Sequence, residues 1–437
     1  MSPSEKRVHD LVGIGFGPSN LALAIALREH NARADESVDA VFFEKQPAFG
    51  WHRGMLLEGT TMQVSFLKDL VTMRNPVSEF SFLSYLQDRR RLADFVNHKT
   101  MFPSRLEFHD YLEWAAAPFA GQVEYGSEVV AVTPVADGGT VEWFDVVVRR
   151  GGGADELTTR RTRNLVIATG LEPVLPEGVV SGERVWHSEE LLTRLPDLRD
   201  PRRVIVVGAG QSAAEVTDHL HGAFRTTEVC AVFAKYGYTP ADDSSFANRI
   251  FDPGAVDHFH TAPEKVKEAL RGYHASTNYS VVDLDLIDDL YRRHYQEKVR
   301  GVERLRILNA SRLVDVATGE GGLRATVEFL PTGERTVLDA DALIYATGYR
   351  PGDPLTLLGE AGGYCLRLPG GGLRVDRDYR VATTGAMRCG IYVQGATEHT
   401  HGIGSTLLSN TAVRAGEIVR SIAGRPAADR RPYALRP

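Results

Sequence analysis

The pattern of hydrophobic and polar positions predicts a short apolar strand, a glycine-rich turn and an amphipathic helix within residues 9–27, HDLVGIGFGPSNLALAIAL. The turn carries Gly13, Gly15, Gly17 and Pro18. Such glycines let the chain turn sharply and let backbone approach a pyrophosphate, which rests on the positive end of the following helix. A second apolar strand, AVFFEKQ, ends in Glu44, which is placed to accept hydrogen bonds from ribose hydroxyl groups. We expect a dinucleotide site here, with a plain strand-turn-helix as the alternative.

The same pattern returns in residues 202–220, RRVIVVGAGQSAAEVTDHL. Its turn and helix start carry Gly208, Gly210, Gln211, Ser212 and Ala213. Alanine is permitted at the third glycine position, because that residue only has to let the helix pack against the strand. Two such units in one chain predict two nucleotide sites, which is the layout of a flavoprotein reduced by a nicotinamide cofactor.

Two strands that end in Ala-Thr-Gly, in RNLVIATGLEP and DALIYATGYRP, predict where the chain passes between domains. We therefore expect an α/β protein with two Rossmann-like dinucleotide-binding domains, the second inserted in the first. Residues 1–174 would begin the first domain, 175–340 would form the inserted second domain, and 341–437 would complete the first. Residues 239–300, which include a predicted helix DLIDDLYRRHYQEKV, would add substrate contacts.

Composition narrows the possible functions. A net charge of -7 and a pI near 6.1 give no basic surface of the kind that binds nucleic acid. The sequence has no run of eighteen apolar residues and no signal-peptide pattern at its start, so we expect no membrane partner and a cytoplasmic location. Cys230, Cys365 and Cys389 form no C-x-x-C pair. This argues against a zinc site and against the disulfide reductases, which share the two-unit layout.

The stretch MQVSFLKDLVTMRNP, residues 62–76, places a lysine among residues that proteins bury. Lys68 follows Phe66 and Leu67 and precedes Asp69. A buried ammonium group is costly unless it meets a partner. Three interpretations stay open: the surface of an amphipathic turn, an internal ion pair with Asp69, or a contact for an anion that is not part of the chain.

With these pieces the chain resembles the microbial N-hydroxylating flavin monooxygenases, in particular the L-ornithine N-monooxygenases of hydroxamate siderophore pathways. The resemblance is carried, in family order, by VGIGFGPSNLALA, WHRGMLL, MQVSFLKDLVTMRNP, VVGAGQSAAE, FANRIFDP, TNYSVVD, ATGYRP and EHTHGIGSTLLSN. These segments extend over most of the chain, and generic flavoproteins do not need the lysine and asparagine segments. The resemblance also suggests a homotetramer.

The resemblance implies that FAD and NADPH are the cofactors. Residues implied for FAD are Gly13, Gly15, Gly17, Pro18, Glu44, Trp51, His52, Met62, Gln63, Val129, Thr406, Leu407 and Leu408. Among them, Val129 would contact the adenine through its backbone, and the STLLS segment would open a C-terminal helix whose amides face the flavin pyrimidine ring. Residues implied for NADPH are Gly208, Gly210, Gln211, Ser212, Ala213 and Lys235. Lys235, near the ribose phosphate, departs from the arginine that the family tends to carry there.

The implied reaction is hydroxylation of the side-chain amine of L-ornithine by O₂ through a C4a-hydroperoxyflavin. Lys68 would bind the substrate carboxylate and Asn248 and Asn278 its α-amine, with Ser409 near the reacting half. Gln63 and Asn278 would assist the chemistry. An alkyl amine is neutral in only roughly one molecule of 250 at pH 8, so we expect few acids at the reacting end.

Alternatives remain at the level of the substrate. L-Lysine is one methylene longer than ornithine, a difference worth about 1–3 kcal/mol in a pocket. A diamine is less favoured, because it has no carboxylate to meet Lys68. A more distant alternative is a flavin NADPH oxidase or redox sensor that does not hydroxylate.

Overall fold

Four β-sheets organise the chain, which the computed structural model describes over residues 7–151, 156–319 and 321–424. The first strands are β1 Val8–Ile14, β2 Ala40–Glu44, β3 Val123–Tyr125, β4 Ser127–Asp137, β5 Thr140–Arg150, β6 Leu157–Ile167, β7 Leu171–Pro173 and β8 Val185–His187. The later strands are β9 Arg203–Val207, β10 Glu228–Val232, β11 Leu305–Leu308, β12 Ser311–Gly319, β13 Gly322–Phe329, β14 Glu334–Ala340, β15 Ala342–Tyr345, β16 Tyr349–Pro351 and β17 Gly390–Val393.

The α-helices lie between and after these strands. They are α1 Pro18–Asn31, α2 Phe82–Asp88, α3 Leu92–His98, α4 Arg105–Ala116, α5 Leu191–Arg194, α6 Gln211–Ala223, α7 Pro253–Thr261, α8 Glu264–Tyr273, α9 Leu284–Arg300, α10 Glu398–His401 and α11 Thr411–Ile422. The helix predicted from DLIDDLYRRHYQEKV is confirmed as α9. In the described ranges we find no helix with the length and apolar character needed to span a membrane.

The first sheet has the strand order β3-β2-β1-β6-β5-β4, with β17 also paired to β6. Its centre is parallel, since β1 pairs in parallel with β2 and with β6. The first half of β6 pairs antiparallel with β5, whereas its second half pairs in parallel with β17. The chain therefore leaves this sheet after β6 and returns to it at β17.

The second sheet is parallel throughout, in the order β11-β10-β9-β15-β8. Its strand β15 lies beyond residue 340, the predicted end of the inserted domain. All four of its side chains are buried, as expected for a central strand of a parallel sheet. The second sheet thus extends to Tyr345, past the predicted boundary at residue 340.

A two-stranded ribbon, β7 with β16, joins the two sheets. Each of its strands follows one of the Ala-Thr-Gly segments. These segments are therefore the places where the chain passes from the first sheet to the second and back.

Aromatic side chains fill the space between the first sheet and its helices. Phe82, Tyr85, Phe108 and Tyr111 are fully buried, contact one another and belong to the same hydrophobic cluster as residues of α1 and α11. Burying one such side chain contributes about 1.5–3 kcal/mol. This packing fixes the position of α1, and with it the glycine turn that precedes the helix.

Candidate active site

The first glycine turn needs its glycines for different reasons. Gly15 has φ +81°, and a Cβ atom there would lie 2.5 Å from the Ala168 carbonyl oxygen. A Cβ atom at Gly13 would lie 2.2 Å from the Phe42 ring. At Gly17, by contrast, a Cβ atom would meet nothing within 4 Å. Gly13 and Gly15 thus serve the packing of the turn, whereas Gly17 faces open space.

Helix α1 begins next to that open space. Gly17 is its N-cap and has no side chain to accept a hydrogen bond from the helix, and Pro18 takes the first helical position. The next backbone N–H groups therefore have no side-chain cap, and they carry the positive end of the helix dipole. This arrangement fits the pyrophosphate of a dinucleotide.

Glu44 ties the turn to strand β2. Its Oε2 accepts from the Phe16 N–H at 2.7 Å and its Oε1 from the Gln46 N–H at 2.8 Å. Each carboxylate oxygen has a second lone pair, so a ribose hydroxyl could still donate to it. Val129 lies in β4 at a register shift, where a bulge leaves a residue outside the ladder. For both residues the predicted cofactor contacts stay predictions.

In the second glycine turn, too, one glycine is required by packing and another lies at the start of the helix. Gly208 has φ +145°, and a Cβ atom there would lie 2.3 Å from the Ala346 carbonyl oxygen. Gly210 caps α6 without a side-chain hydrogen bond. Ala213 is fully buried, as expected for the residue that packs helix on strand, and Ser212 is half-buried in the first turn. The second turn also fits a pyrophosphate.

Lys235 follows strand β10 and reaches the same turn. Its Nζ donates to the Ser280 carbonyl oxygen at 2.5 Å and to Thr239 Oγ1 at 2.9 Å. A Cβ atom on Gly210 would lie 3.5 Å from Ser280 Cα. The structure therefore brings Lys235 close to the start of α6, where a cation could meet a ribose phosphate.

Trp51 and His52 lie beside the ribbon that joins the sheets. The His52 ring stands edge-on to Trp51, with 4.8 Å between ring centroids, and 5.7 Å from Tyr349 of the ribbon. The His52 side chain is exposed, with the Trp51 and Tyr349 rings beside it. Desolvation, helped by the charge of Arg105, lowers the pKa of His52 to about 4. The imidazole is therefore neutral near pH 7.

Gln63 joins the two units through a carboxylate that sequence reasoning missed. Met62 is buried, whereas Gln63 is exposed and its Nε2 donates to Asp283 Oδ2 at 2.7 Å. The same oxygen accepts from Gln211 Nε2 at 3.1 Å. Asp283 ends the TNYSVVD segment, so its place in that segment was the available signal.

Lys68 is half-buried and lies against an aromatic ring. Its Nζ is 5.5 Å from the centroid of Phe251. Desolvation lowers the pKa of Lys68, and the charge of Asp252 opposes that shift. Asp69 is not its partner, because the buried Asp69 carboxylate accepts from the backbone of residues 71, 72 and 82. The ion pair considered from the sequence is therefore not formed.

The two asparagines lie on loops that reach the C-terminal segment. Asn248 belongs to the helical turn Ala247–Phe251, which also carries the ring beside Lys68, and its Nδ2 donates to the Asp243 carbonyl oxygen at 2.6 Å. Asn278 precedes Tyr279, whose hydroxyl donates to Glu398. The turn 403–406 packs on Ala247–Phe251, and the turn 408–410 packs on 66–68. Lys68, Asn248 and Ser409 thus come from elements that meet.

The C-terminal segment carries buried polar atoms that have no hydrogen-bond partner in the described residues. They are Thr397 Oγ1, Ser405 Oγ, Ser409 Oγ and both side-chain polar atoms of Asn410. Buried polar groups are almost always hydrogen-bonded. Two of these residues, Ser409 and Asn410, lie in the turn that packs on 66–68, so a ligand bound beside Lys68 could supply their partners.

The prediction that STLLS opens the C-terminal helix is wrong. Two short 3₁₀ turns, Ile403–Thr406 and Leu408–Asn410, precede α11, which begins at Thr411. Leu407 between them is extended, with φ −98° and ψ 161°. This extended residue interrupts the helix, so the amides of Thr406, Leu407 and Leu408 lie outside its first turn.

Arg105 and Glu215 form a second contact between the units that the sequence did not predict. Arg105 Nη2 lies 2.7 Å from Glu215 Oε1, and Nη1 lies 2.9 Å from Oε2. Both side chains are largely buried, at 13% and 3% exposure. An arginine at the start of α4 has no local signal that reveals a partner on α6.

Comparison with known proteins shows which family the chain resembles. The family model for L-lysine 6-monooxygenase/L-ornithine 5-monooxygenase matches residues 7–351. An ornithine N-hydroxylase from Kutzneria sp. 744, solved with reduced FAD, NADP⁺ and L-ornithine, is 48% identical with a TM-score of 0.91, over 95% of this chain and 99% of that one.

Two further relatives come from Pseudomonas. The L-ornithine N(5)-monooxygenase of Pseudomonas aeruginosa is 38% identical over 424 residues, which cover 95% of this chain and 94% of the relative. The L-lysine 6-monooxygenase of Pseudomonas syringae is 32% identical with a TM-score of 0.83, over 95% of this chain and 99% of that one. On sequence and on fold alike, the chain belongs to the L-lysine 6-monooxygenase/L-ornithine 5-monooxygenase family.

Proposed function

We propose that the protein is an FAD- and NADPH-dependent monooxygenase that N-hydroxylates the side-chain amine of L-ornithine. The observation that carries this proposal is Lys68, a half-buried cation beside Phe251, in the turn 66–68 that packs on the turn 408–410 with its orphaned Ser409 hydroxyl. An amino-acid substrate would bring the missing carboxylate to Lys68. The relatives from Kutzneria sp. 744 and Pseudomonas aeruginosa, which are ornithine enzymes, support the choice of amino acid.

The two glycine turns divide the cofactors between the units. The start of α1 at Gly17 and Pro18 would hold the FAD pyrophosphate, and the start of α6 at Gly210 would hold that of NADPH. When bound beside these turns, the two cofactors would supply hydride transfer from NADPH to the flavin and the activation of O₂. On this assignment the first sheet carries the FAD-binding domain and the second sheet, to Tyr345, carries the inserted NADPH-binding domain.

The chain's own task is to bind and orient an amine that has lost its proton. Lys68 would fix the substrate carboxylate, and the amide oxygens of Asn248 and Asn278 would accept from the α-amine. The neutral His52 ring adds no charge beside the flavin edge, since its pKa is about 4. Apolar and neutral surroundings favour the uncharged amine over the ammonium form.

Side-by-side assays with ornithine, lysine and putrescine test the proposal. We expect a yellow purified protein whose NADPH oxidation rises with ornithine and yields a hydroxylamine product. Lysine should give less product, and putrescine should give least, because it has no carboxylate for Lys68. An NADPH oxidation rate that ornithine leaves unchanged, with no hydroxylated product, would contradict the proposal; product from lysine alone would favour the lysine alternative.

We also propose a homotetramer that works in the cytoplasm and supplies hydroxamate precursors, as the family resemblance suggests. Sedimentation equilibrium of the FAD-loaded protein tests the assembly. A mass equal to one chain at micromolar concentration would contradict it.

A further inference from the structure

Asp283 stands at the N-cap of α9 but does not cap the helix. Aspartate is preferred at this position because its carboxylate accepts from the N–H groups of the first turn. No such hydrogen bond is formed by Asp283. Its Oδ2 instead accepts from Gln63 Nε2 at 2.7 Å and from Gln211 Nε2 at 3.1 Å. The Asp283 side chain therefore does not stabilise its own helix but joins two glutamines from distant parts of the chain.

The Gln211 side chain is held in one orientation by this contact. Its Oε1 accepts from the Asp283 N–H at 2.8 Å, and its Nε2 also donates to Glu215 Oε1 at 3.0 Å. An amide group has one oxygen acceptor and two N–H donors. All three capacities are used, so Gln211 cannot rotate without breaking hydrogen bonds to Asp283 or Glu215.

The same network crosses between the units twice. Gln63 comes from the segment after β2, and Gln211 lies at the start of α6. Glu215, one helical turn further, pairs with Arg105 of α4. The hydrogen-bonded series therefore begins at Gln63 and ends at Arg105, both in the unit proposed to bind FAD. Between them it passes through the unit proposed to bind NADPH. Asp283 links the two units at one end of the series, and the Arg105–Glu215 ion pair links them at the other.

We propose that Asp283 is a positioning residue that fixes the nicotinamide side of the active site against the flavin side. The inference rests on the proposed function, which gives Gln63 to the flavin and Gln211 to NADPH. Hydride transfer needs reacting atoms about 3–3.5 Å apart, and a displacement of about 1 Å can cost roughly 100-fold in rate. One carboxylate oxygen that holds both glutamines sets their separation directly.

The test uses the FAD-loaded enzyme with Asp283→Ser and Asp283→Asn. Serine is a good N-cap but cannot reach both glutamines, so α9 should stay folded while the bridge is lost. Asparagine keeps an oxygen that can accept from both. The matched control is Asp285→Ala, which removes the same charge from the exposed first turn of the same helix.

Stopped-flow reduction of the flavin by NADPH is compared with photoreduction in EDTA, which needs no nicotinamide. In Asp283→Ser we expect the limiting rate of reduction by NADPH to fall roughly 10- to 100-fold. Its NADPH KM should change less, and its photoreduction and FAD content should match the wild type. Asp283→Asn should keep most of the rate, and Asp285→Ala all of it.

An unchanged NADPH reduction rate in Asp283→Ser would overturn the inference. A parallel loss of FAD content or thermal stability would also overturn it, because Asp283 would then be structural. The two proposals fail separately. A wild type that is reduced by NADPH but does not hydroxylate ornithine, lysine or putrescine contradicts the proposed function, whereas the reduction rates still decide the role of Asp283.

Discussion

Lys68 illustrates a charge held in apolar surroundings whose counter-ion would arrive with the substrate. We predict that Lys68→Met raises the ornithine KM roughly 10- to 100-fold, because a hydrogen bond to a charged group is worth about 1.5–3 kcal/mol. FAD content and reduction by NADPH should stay close to the wild type, since Lys68 contacts Phe251 and no predicted NADPH residue. Steady-state kinetics measure the ornithine KM, and the flavin spectrum measures the FAD content and its reduction by NADPH. Lys265→Met, on the exposed face of α8, is the matched control.

The pH dependence of ornithine binding follows from the direction of the Lys68 shift. Desolvation lowers its pKa from the usual 10.5. In the free enzyme the Lys68 cation is therefore present at low pH and is lost as pH rises through this lowered pKa. The wild-type ornithine KM should rise in that range, and the ratio of the Lys68→Met KM to the wild-type KM should shrink. A ratio that stays constant from neutral pH up to the usual lysine pKa of 10.5 would reject the role of the cation, and loss of FAD would make Lys68 structural.

Lys235 carries the prediction for cofactor preference. Lys235→Ala should reduce the ratio of kcat/KM for NADPH to that for NADH by roughly tenfold, because only NADPH has the ribose phosphate that a nearby cation would bind. The thermal stability must be measured alongside, since Lys235 also donates to Ser280 and Thr239. If the NADPH to NADH ratio is unchanged in a folded variant, a residue other than Lys235 binds the ribose phosphate.

At the scale of elements, we expect the first glycine turn to need Gly15 for folding and Gly17 for binding the cofactor. Gly15→Ala places a Cβ atom 2.5 Å from the Ala168 carbonyl at φ +81°, so we expect a large loss of thermal stability. Gly17→Ala adds a methyl group to open space at φ −84°, so the apoprotein should keep its melting temperature within a few degrees. FAD content should nevertheless fall, because the methyl group would occupy the approach to the helix start. Full FAD content in Gly17→Ala would place the pyrophosphate elsewhere.

Elements were predictable where the signal is local. Both glycine turns, their strands and helices, and α9 are found where the apolar spacing placed them, and the α/β fold class is confirmed. The start of α11 was not predictable, because the extended conformation of Leu407 that delays it leaves no mark in the STLLS composition. The place of β15 in the second sheet was not predictable either, because an apolar strand of this kind would suit either sheet.

At the scale of the whole molecule, the family was predictable and the contacts between units were not. Segments in a fixed order identify relatives without any knowledge of packing, and the family expectation is confirmed. Gln63 and Asp283, by contrast, are 220 positions apart, and Arg105 and Glu215 are 110 positions apart. Hydrogen bonds at such separations depend on the relative position of two sheets, which no local pattern encodes.

The Arg105–Glu215 pair tests how firmly the two units are held together. Breaking a buried ion pair by removing one partner costs about 3–5 kcal/mol when the other charge stays buried. We predict that Arg105→Glu and Glu215→Arg each lower the free energy of unfolding and slow flavin reduction by NADPH, because like charges would then face each other across the units. The double exchange should recover part of both losses, since it restores an opposite pair in the reverse order. Urea unfolding and stopped-flow reduction of all four proteins complete the cycle. Losses that simply add would mean that the two side chains act independently and that the ion pair does not set the position of the second unit.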